Sequence, residues 1–191
     1  MEKSKATDMV HGGLIARPSA EDSVHAMGKY TFECYDKDGN LKWVEESKNR
    51  VVNVGLQFMA NSLVAVTTIS TWYIGLVGAS ANNQFNATDT LSTHPAAGSG
   101  GWTEITPYSG TRPAATFATA TTADPSVVTN SANKASFSIT GTATVGGAFL
   151  CSVASGTSGT LFSGNTFTGG DRSVVNGDTL QVTYQFSLDA P

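Results

Sequence analysis

The run Thr179-Leu180-Gln181-Val182-Thr183-Tyr184-Gln185-Phe186-Ser187-Leu188 decides the fold class. Leu180, Val182, Tyr184, Phe186 and Leu188 fall on one side, and Gln181, Thr183, Gln185 and Ser187 on the other. A period of two places alternate side chains on opposite faces of a pleated strand, one toward a core and one toward water. Gly177-Asp178, just ahead of it, supplies a turn. The same alternation runs from Lys29 to Tyr35, with Tyr30, Phe32 and Cys34 on one face, and a second short strand is expected over Leu41 to Glu45. Asp36-Lys37-Asp38-Gly39-Asn40 between them reads as a hairpin turn.

Working outward, Trp72-Tyr73-Ile74-Gly75-Leu76-Val77 is a dense apolar run that suits a central strand. Shorter strands are expected near Thr103 to Ile105, Ala114 to Thr119, Ala135 to Thr140 and Gly147 to Val153. One helix is expected, capped by Asn53, with Leu56, Met59, Ala60, Leu63 and Val64 as its apolar stripe. Thr67 to Thr71 reads as extended, because β-branched residues stiffen the chain. Ala79 to Gly101 has no period and reads as a long contact loop. About eight short strands and a single helix predict an all-β fold, an antiparallel β-sandwich or jelly-roll-like barrel.

Charge divides the chain. Seventeen of its 26 Asp, Glu, Lys and Arg residues lie in the first 50 positions of 191. Residues 1–27 mix charge with Gly12, Gly13 and Pro18 and read as an extended N-terminal arm, followed by one domain over 28–191. The body is written in Ser, Thr, Gly and Ala, which suits a module lying against other protein better than an enzyme built on ionisable groups. A net charge of −4 removes general attraction to phosphate backbones, so nucleic acid is not an expected partner. No stretch reaches the roughly 18 to 20 apolar residues of a membrane span, and the N-terminus lacks the apolar centre of a signal peptide, so cytoplasmic synthesis and no membrane partner are expected.

The chain offers little chemistry. The Asp36 segment begins like a calcium loop, but Leu41 and Ser47 stand where Gly and Glu are needed, so the turn reading prevails. His11, His25 and His94 lack the spacing of a metal pair. No G-x-S-x-G elbow is present, and Cys34 and Cys151 read as small buried apolar residues rather than a bridge. Glu104, Asp124, Asp171 and Asp178 are explained by turns and pairing more readily than by glycoside cleavage. No catalytic residue, cofactor or metal is therefore expected. Arg112, one of three basic residues after Arg50, is expected to pair with Asp171 or Glu104, or to touch a neighbouring subunit. Trp102, beside glycines, is the credible exposed aromatic. With Tyr108, His94, His25 and Arg17, these two make up the candidate partner-contact set.

The ordered series Asp38-Gly39-Asn40-Leu41-Lys42-Trp43, Asn53-Val54-Gly55-Leu56, Trp72-Tyr73-Ile74-Gly75-Leu76, Thr111-Arg112-Pro113, Gly147-Ala148-Phe149-Leu150, Gly159-Thr160-Leu161-Phe162 and Gly177 to Tyr184 resembles small structural proteins of tailed bacteriophages. The resemblance covers about Tyr30 to Leu188 and implies a non-enzymatic virion component. A capsid decoration or cement protein is expected, binding the major capsid protein and copies of itself as a dimer or trimer. A tail or fibre-attachment adaptor is the alternative. A carbohydrate-binding module using Trp72, Trp102 and Tyr108 as stacking platforms is the second.

Overall fold

The computed structural model describes residues 24–64, 69, 71–79, 84–92 and 102–189. Arg17, His94 and most of the N-terminal arm lie outside the described residues, as does most of the Thr67 to Thr71 stretch.

Two antiparallel sheets face each other across a shared core, the sandwich expected from the alternation. In the first, β13 (Thr179–Asp189) is the central strand. It pairs along its whole length with β1 (His25–Tyr35), which in turn pairs with β2 (Leu41–Lys48). Its other edge is shared by β8 (Ala135–Ser138), opposite Thr179 to Val182, and β7 (Ser126–Thr129), opposite Gln185 to Leu188. The gap between β7 and β8 is closed by a side chain. Asn130 accepts from Tyr184 N at 2.6 Å through Oδ1 and donates through Nδ2 to Val182 O at 3.3 Å, so its amide stands in for a missing strand residue. An unmet pair of buried backbone groups there would cost about 1–3 kcal/mol each.

The second sheet runs β3 (Arg50–Val51), β11 (Leu161–Thr166), β10 (Gly147–Cys151), β4 (Trp72–Val77) and β5 (Glu104–Ile105), with β6 (Ala114–Ala115) also pairing β4. β9 (Ala143–Val145) and β12 (Arg172–Val174) form a separate two-stranded ribbon. Between the sheets, Tyr30, Phe32 and Cys34 of β1 and Leu180, Val182 and Tyr184 of β13 meet Ile74, Leu76, Ala148 and Leu150. A second cluster, built from Val77, Phe149, Cys151 and Leu161, lies outside this core.

Several expectations need correction. β1 begins at His25, not Lys29, so residues 25–27 belong to the sheet and not to the arm; Ala26 sits opposite Leu188 and Met27 opposite Ser187. β2 runs past Glu45 to Lys48 because its inward positions are polar but satisfied: Glu45 meets Arg172 at 2.6 Å and Ser47 Oγ donates to Thr166 O at 3.1 Å. The helix α1 (Asn53–Leu63) forms, yet Val52 occupies its N-cap without a side-chain bond, and Asn53 N donates to Ala87 O at 2.7 Å. Of the stripe read from sequence only Met59 packs inward; Leu56 is 46 %, Leu63 87 % and Val64 70 % exposed, and Ala60 is exposed with them. The packed side is Val54, Gly55, Phe58 and Met59. A methyl group on Gly55 would lie 2.2 Å from the Phe162 carbonyl oxygen, so glycine lets the helix backbone settle on β11.

The Asp36 turn behaves as read. Asp36 Oδ1 accepts from Asp38 N and Asn40 N, each at 2.9 Å, and Gly39 takes a positive φ of 85°. The Asn40 hydrogen bonds hold the exposed Asp36 carboxyl below its ordinary range. Cys34 and Cys151 are free and buried, and they belong to the two different clusters.

Candidate functional site

Arg112, Trp102 and Tyr108 were expected on a contact surface; the structure places all three inside. Arg112 is 4 % exposed and binds Glu104 with two nitrogens, Nε to Oε1 at 2.7 Å and Nη2 to Oε2 at 2.6 Å. Its remaining donors reach Val153 O at 3.0 Å and Gly156 O at 2.9 Å, and its guanidinium lies 5.1 Å from the Phe149 ring centre. Of the two acids foreseen for it, Glu104 is the partner. Burial alone lowers the Arg112 pKa, but the Glu104 contact outweighs it and holds the guanidinium charged above its ordinary value. A planar fork matched to a carboxylate is the geometry that Lys cannot reproduce. The pair therefore pins the segment after β10 to the edge strand β5, a structural task rather than a contact with another molecule.

Trp102 is 1 % exposed, stacked on Phe85 at 4.7 Å and tilted against Phe149 at 4.6 Å between ring centres. No sugar can reach that ring, so Trp102 is not a stacking platform. Tyr108 packs edge-on against Phe137 at 4.8 Å and bridges to Ile139; burial, then Glu104, raises its phenol pKa. The neighbouring glycines suggested exposure for Trp102. The aromatic contacts across them were not visible in the local pattern. His25 remains on the surface, at the end of β1 opposite Asp189.

The contact loop is corrected in the same way. Within its described part, residues 84–92 turn Phe85 and Leu91 inward over the second sheet, with the Phe85 ring covering Gly164, where a methyl group would lie 2.1 Å from it.

The acids are engaged separately. Asp178, 3 % exposed, accepts from Lys42 Nζ at 2.5 Å and Val175 N at 2.9 Å, fixing the turn into β13. Cys34 donates weakly to the same carboxylate at 3.8 Å. Lys134, just ahead of β8, pairs with Glu33 of β1, and Lys29 pairs with Glu46 across β1 and β2. Among the described residues, no three His, Cys, Asp or Glu side chains converge as a metal site would require, and no helix is long and apolar enough to cross a membrane.

Two surface features remain. One is the outward apolar face of α1, where Leu56, Ala60, Leu63 and Val64 follow one another at helical spacing. The other is a set of cavities. One, about 400 Å³, lies between α1 and β11 and is lined by Val54, Gln57, Phe58, Asn61 and Thr160. A second, about 250 Å³, lies where the chain passes from β2 to β3. Set against known proteins, the chain matches no family model, no curated protein and no solved structure.

Proposed function

We propose that this chain is a non-enzymatic structural protein of a tailed-phage virion, a decoration protein that binds the outer face of the coat lattice and braces it. The observation that carries the reading is the outward apolar face of α1. A helix ordinarily turns its apolar stripe to the core. Here the core is completed by Gly55, Phe58 and Met59, while Leu63 and Val64 stand 87 % and 70 % exposed. Contiguous exposed apolar side chains mark a surface meant for another protein. The six ion pairs and the hydroxyl-rich strands fit the same role, because they leave few free ions for a neighbour to desolvate. The strand and turn series that resembles phage structural proteins supplies the identity of that neighbour, the major capsid protein.

An interface of roughly 1,600 Å² suffices for a specific contact, and repetition over a lattice multiplies it. The experiment is to prepare particles with and without the protein and measure the temperature at which DNA is released. Release at a lower temperature without it, restored by wild type but not by Leu63→Asp, supports the reading. Unchanged release, or full restoration by Leu63→Asp, removes it. Labelling over the whole shell distinguishes decoration from a tail or fibre-attachment adaptor, which predicts label at one vertex.

A further inference from the structure

The cavity of about 400 Å³ between α1 and β11 is neutral throughout: no Asp, Glu, Lys, Arg or His lines it. Its floor is apolar, made by Val54 and Phe58 of α1 and Leu161 of β11. Its walls are polar, with the Gln57 and Asn61 amides on the helix side and the Thr160 hydroxyl on the strand side. These groups are within reach of water: Gln57 is exposed, and Asn61 and Thr160 are half-buried. Among the described residues neither amide has a hydrogen-bond partner.

The fold fixes these walls without a ligand. Val54, Gln57, Phe58 and Asn61 recur at three and four residues, which places them on one side of the helix. Leu56, Ala60, Leu63 and Val64 fall on another side, so the cavity is separate from the outward apolar face. The helix is seated by Gly55 on the Phe162 carbonyl and by the Phe58 ring, in edge contact with Trp72 at 5.1 Å. On the strand side, Thr160 N donates to Ser152 Oγ at 2.8 Å, and Thr160 O accepts from Ser152 N at 3.0 Å. Thr90 forms a third border, and its loop is tied to the helix start where Asn53 N donates to Ala87 O at 2.7 Å. Walls held in place in this way have little conformational freedom left to lose when a ligand enters.

The lining narrows the ligand by its chemistry. A charged molecule would leave water and meet no counter-charge. A purely apolar one would cover the Gln57 and Asn61 amides and leave their donors and acceptors unmet. An added peptide strand needs free main-chain groups at a sheet edge, and both main-chain groups of Thr160 are already taken by Ser152. A neutral sugar fits: its hydroxyls donate and accept, as the two amides and the Thr160 hydroxyl do, and its C–H faces suit an apolar floor. Helical rise separates Gln57 from Asn61 by about 6 Å along the axis, close to the width of one sugar ring, so each amide meets a different ring. The volume lies within the roughly 300–1,000 Å³ of small-molecule sites.

We propose that this cavity binds a neutral saccharide of two rings, with the Gln57 and Asn61 amides and the Thr160 hydroxyl meeting ring hydroxyls above the floor of Val54, Phe58 and Leu161. The site does not depend on the virion reading.

The test titrates the full chain with maltose, cellobiose, lactose and diacetylchitobiose, following amide chemical shifts and heat. D-glucuronate and a blocked trialanine peptide serve as comparisons. At least one disaccharide is expected to bind about tenfold tighter than either comparison, with shifts centred on residues 54–61 and 159–161. The double variant Gln57→Ala, Asn61→Ala is expected to lose about tenfold or more in affinity, and Thr160→Val about threefold. Alanine favours a helix and neither amide holds another residue, so the double variant should keep the wild-type melting temperature, and that is measured first. The proposal is overturned if no disaccharide binds, if glucuronate or the peptide binds as tightly as the best disaccharide, or if the double variant binds unchanged.

Discussion

The two sheets of the sandwich solve the same problem differently. The first is amphipathic: Tyr30, Phe32 and Cys34 of β1 and Leu180, Val182 and Tyr184 of β13 point into the core, and the opposite face meets water through cross-strand pairs such as Thr31 with Thr183 and Lys29 with Glu46. The second is dry on both faces. β10 is buried at every position, and Phe149, Cys151, Val77 and Leu161 on its far side lie under Trp102, Phe85 and Leu91. One half of the domain is therefore a two-layer structure. The other half carries a third layer made of loop, and this loop layer, not a strand, is what hides the aromatic residues that looked suited to contact.

If the loop layer is structural, removing its largest side chain should cost as much as a core truncation. Trp102→Ala is expected to destabilise the domain by about 3–5 kcal/mol in urea unfolding. Thr183→Ala, on the outer face of the first sheet, should cost about 1 kcal/mol or less. Similar values for the two would abolish the distinction between the sheets. Next in size is Arg112→Ala, which removes the two-nitrogen contact to the mostly buried Glu104 carboxylate and frees the segment after β10; about 3 kcal/mol is expected, with enhanced amide exchange confined to residues 152–160. Arg112→Lys should recover only part of the loss, since it restores the charge without the fork. For the first sheet the corresponding weak point is Asn130. Asn130→Ala leaves Tyr184 N and Val182 O unmet, and about 2 kcal/mol is expected, with exchange rising at Tyr184 before the rest of β13.

The contrast also explains what could be read from the chain. β1, β13 and the Asp36 turn were legible because one face is wet and the other dry, so period two is written in the residues. β4 was legible from its apolar density. β11 was not: Leu161-Phe162-Ser163-Gly164-Asn165-Thr166 has neither alternation nor apolar density, and it becomes a buried strand because Phe85 covers Gly164 and Asn165 receives Ala148 N. The same limit applied to α1, where periodicity located a stripe without saying which side the sheet would take. Gly55 decided that. The Arg112 partner was legible from the scarcity of charge after Arg50, whereas its burial was not.

The smallest effect sharpens the comparison chemically, through one thiol in each cluster. Burial, then the neighbouring Asp178 carboxylate, pushes Cys34 up to about 11 from an ordinary value of 9.0. Cys151 is also raised by burial, but a backbone hydrogen bond at Val153 and the Arg112 charge pull against it. A thiol whose pKa is higher folded than unfolded adds stability that is complete below the unfolded value. That stability is lost as pH rises, because the unfolded chain releases its proton first. For Cys34 the loss begins near pH 9 and runs to about pH 11. Between pH 8 and pH 10, wild type should therefore lose about 1 kcal/mol more stability than Cys34→Ala, read from urea midpoints at each pH. Tyr30, Tyr108 and Tyr184 are raised as well, but they titrate in both proteins and cancel in the difference. Cys151→Ala should flatten the same slope less than Cys34→Ala does, because the Arg112 guanidinium, 3.6 Å from its sulfur, favours the thiolate. Equal slopes for wild type and Cys34→Ala would mean that water reaches the inner face of the first sheet, and the dry core between the sheets would have to be redrawn.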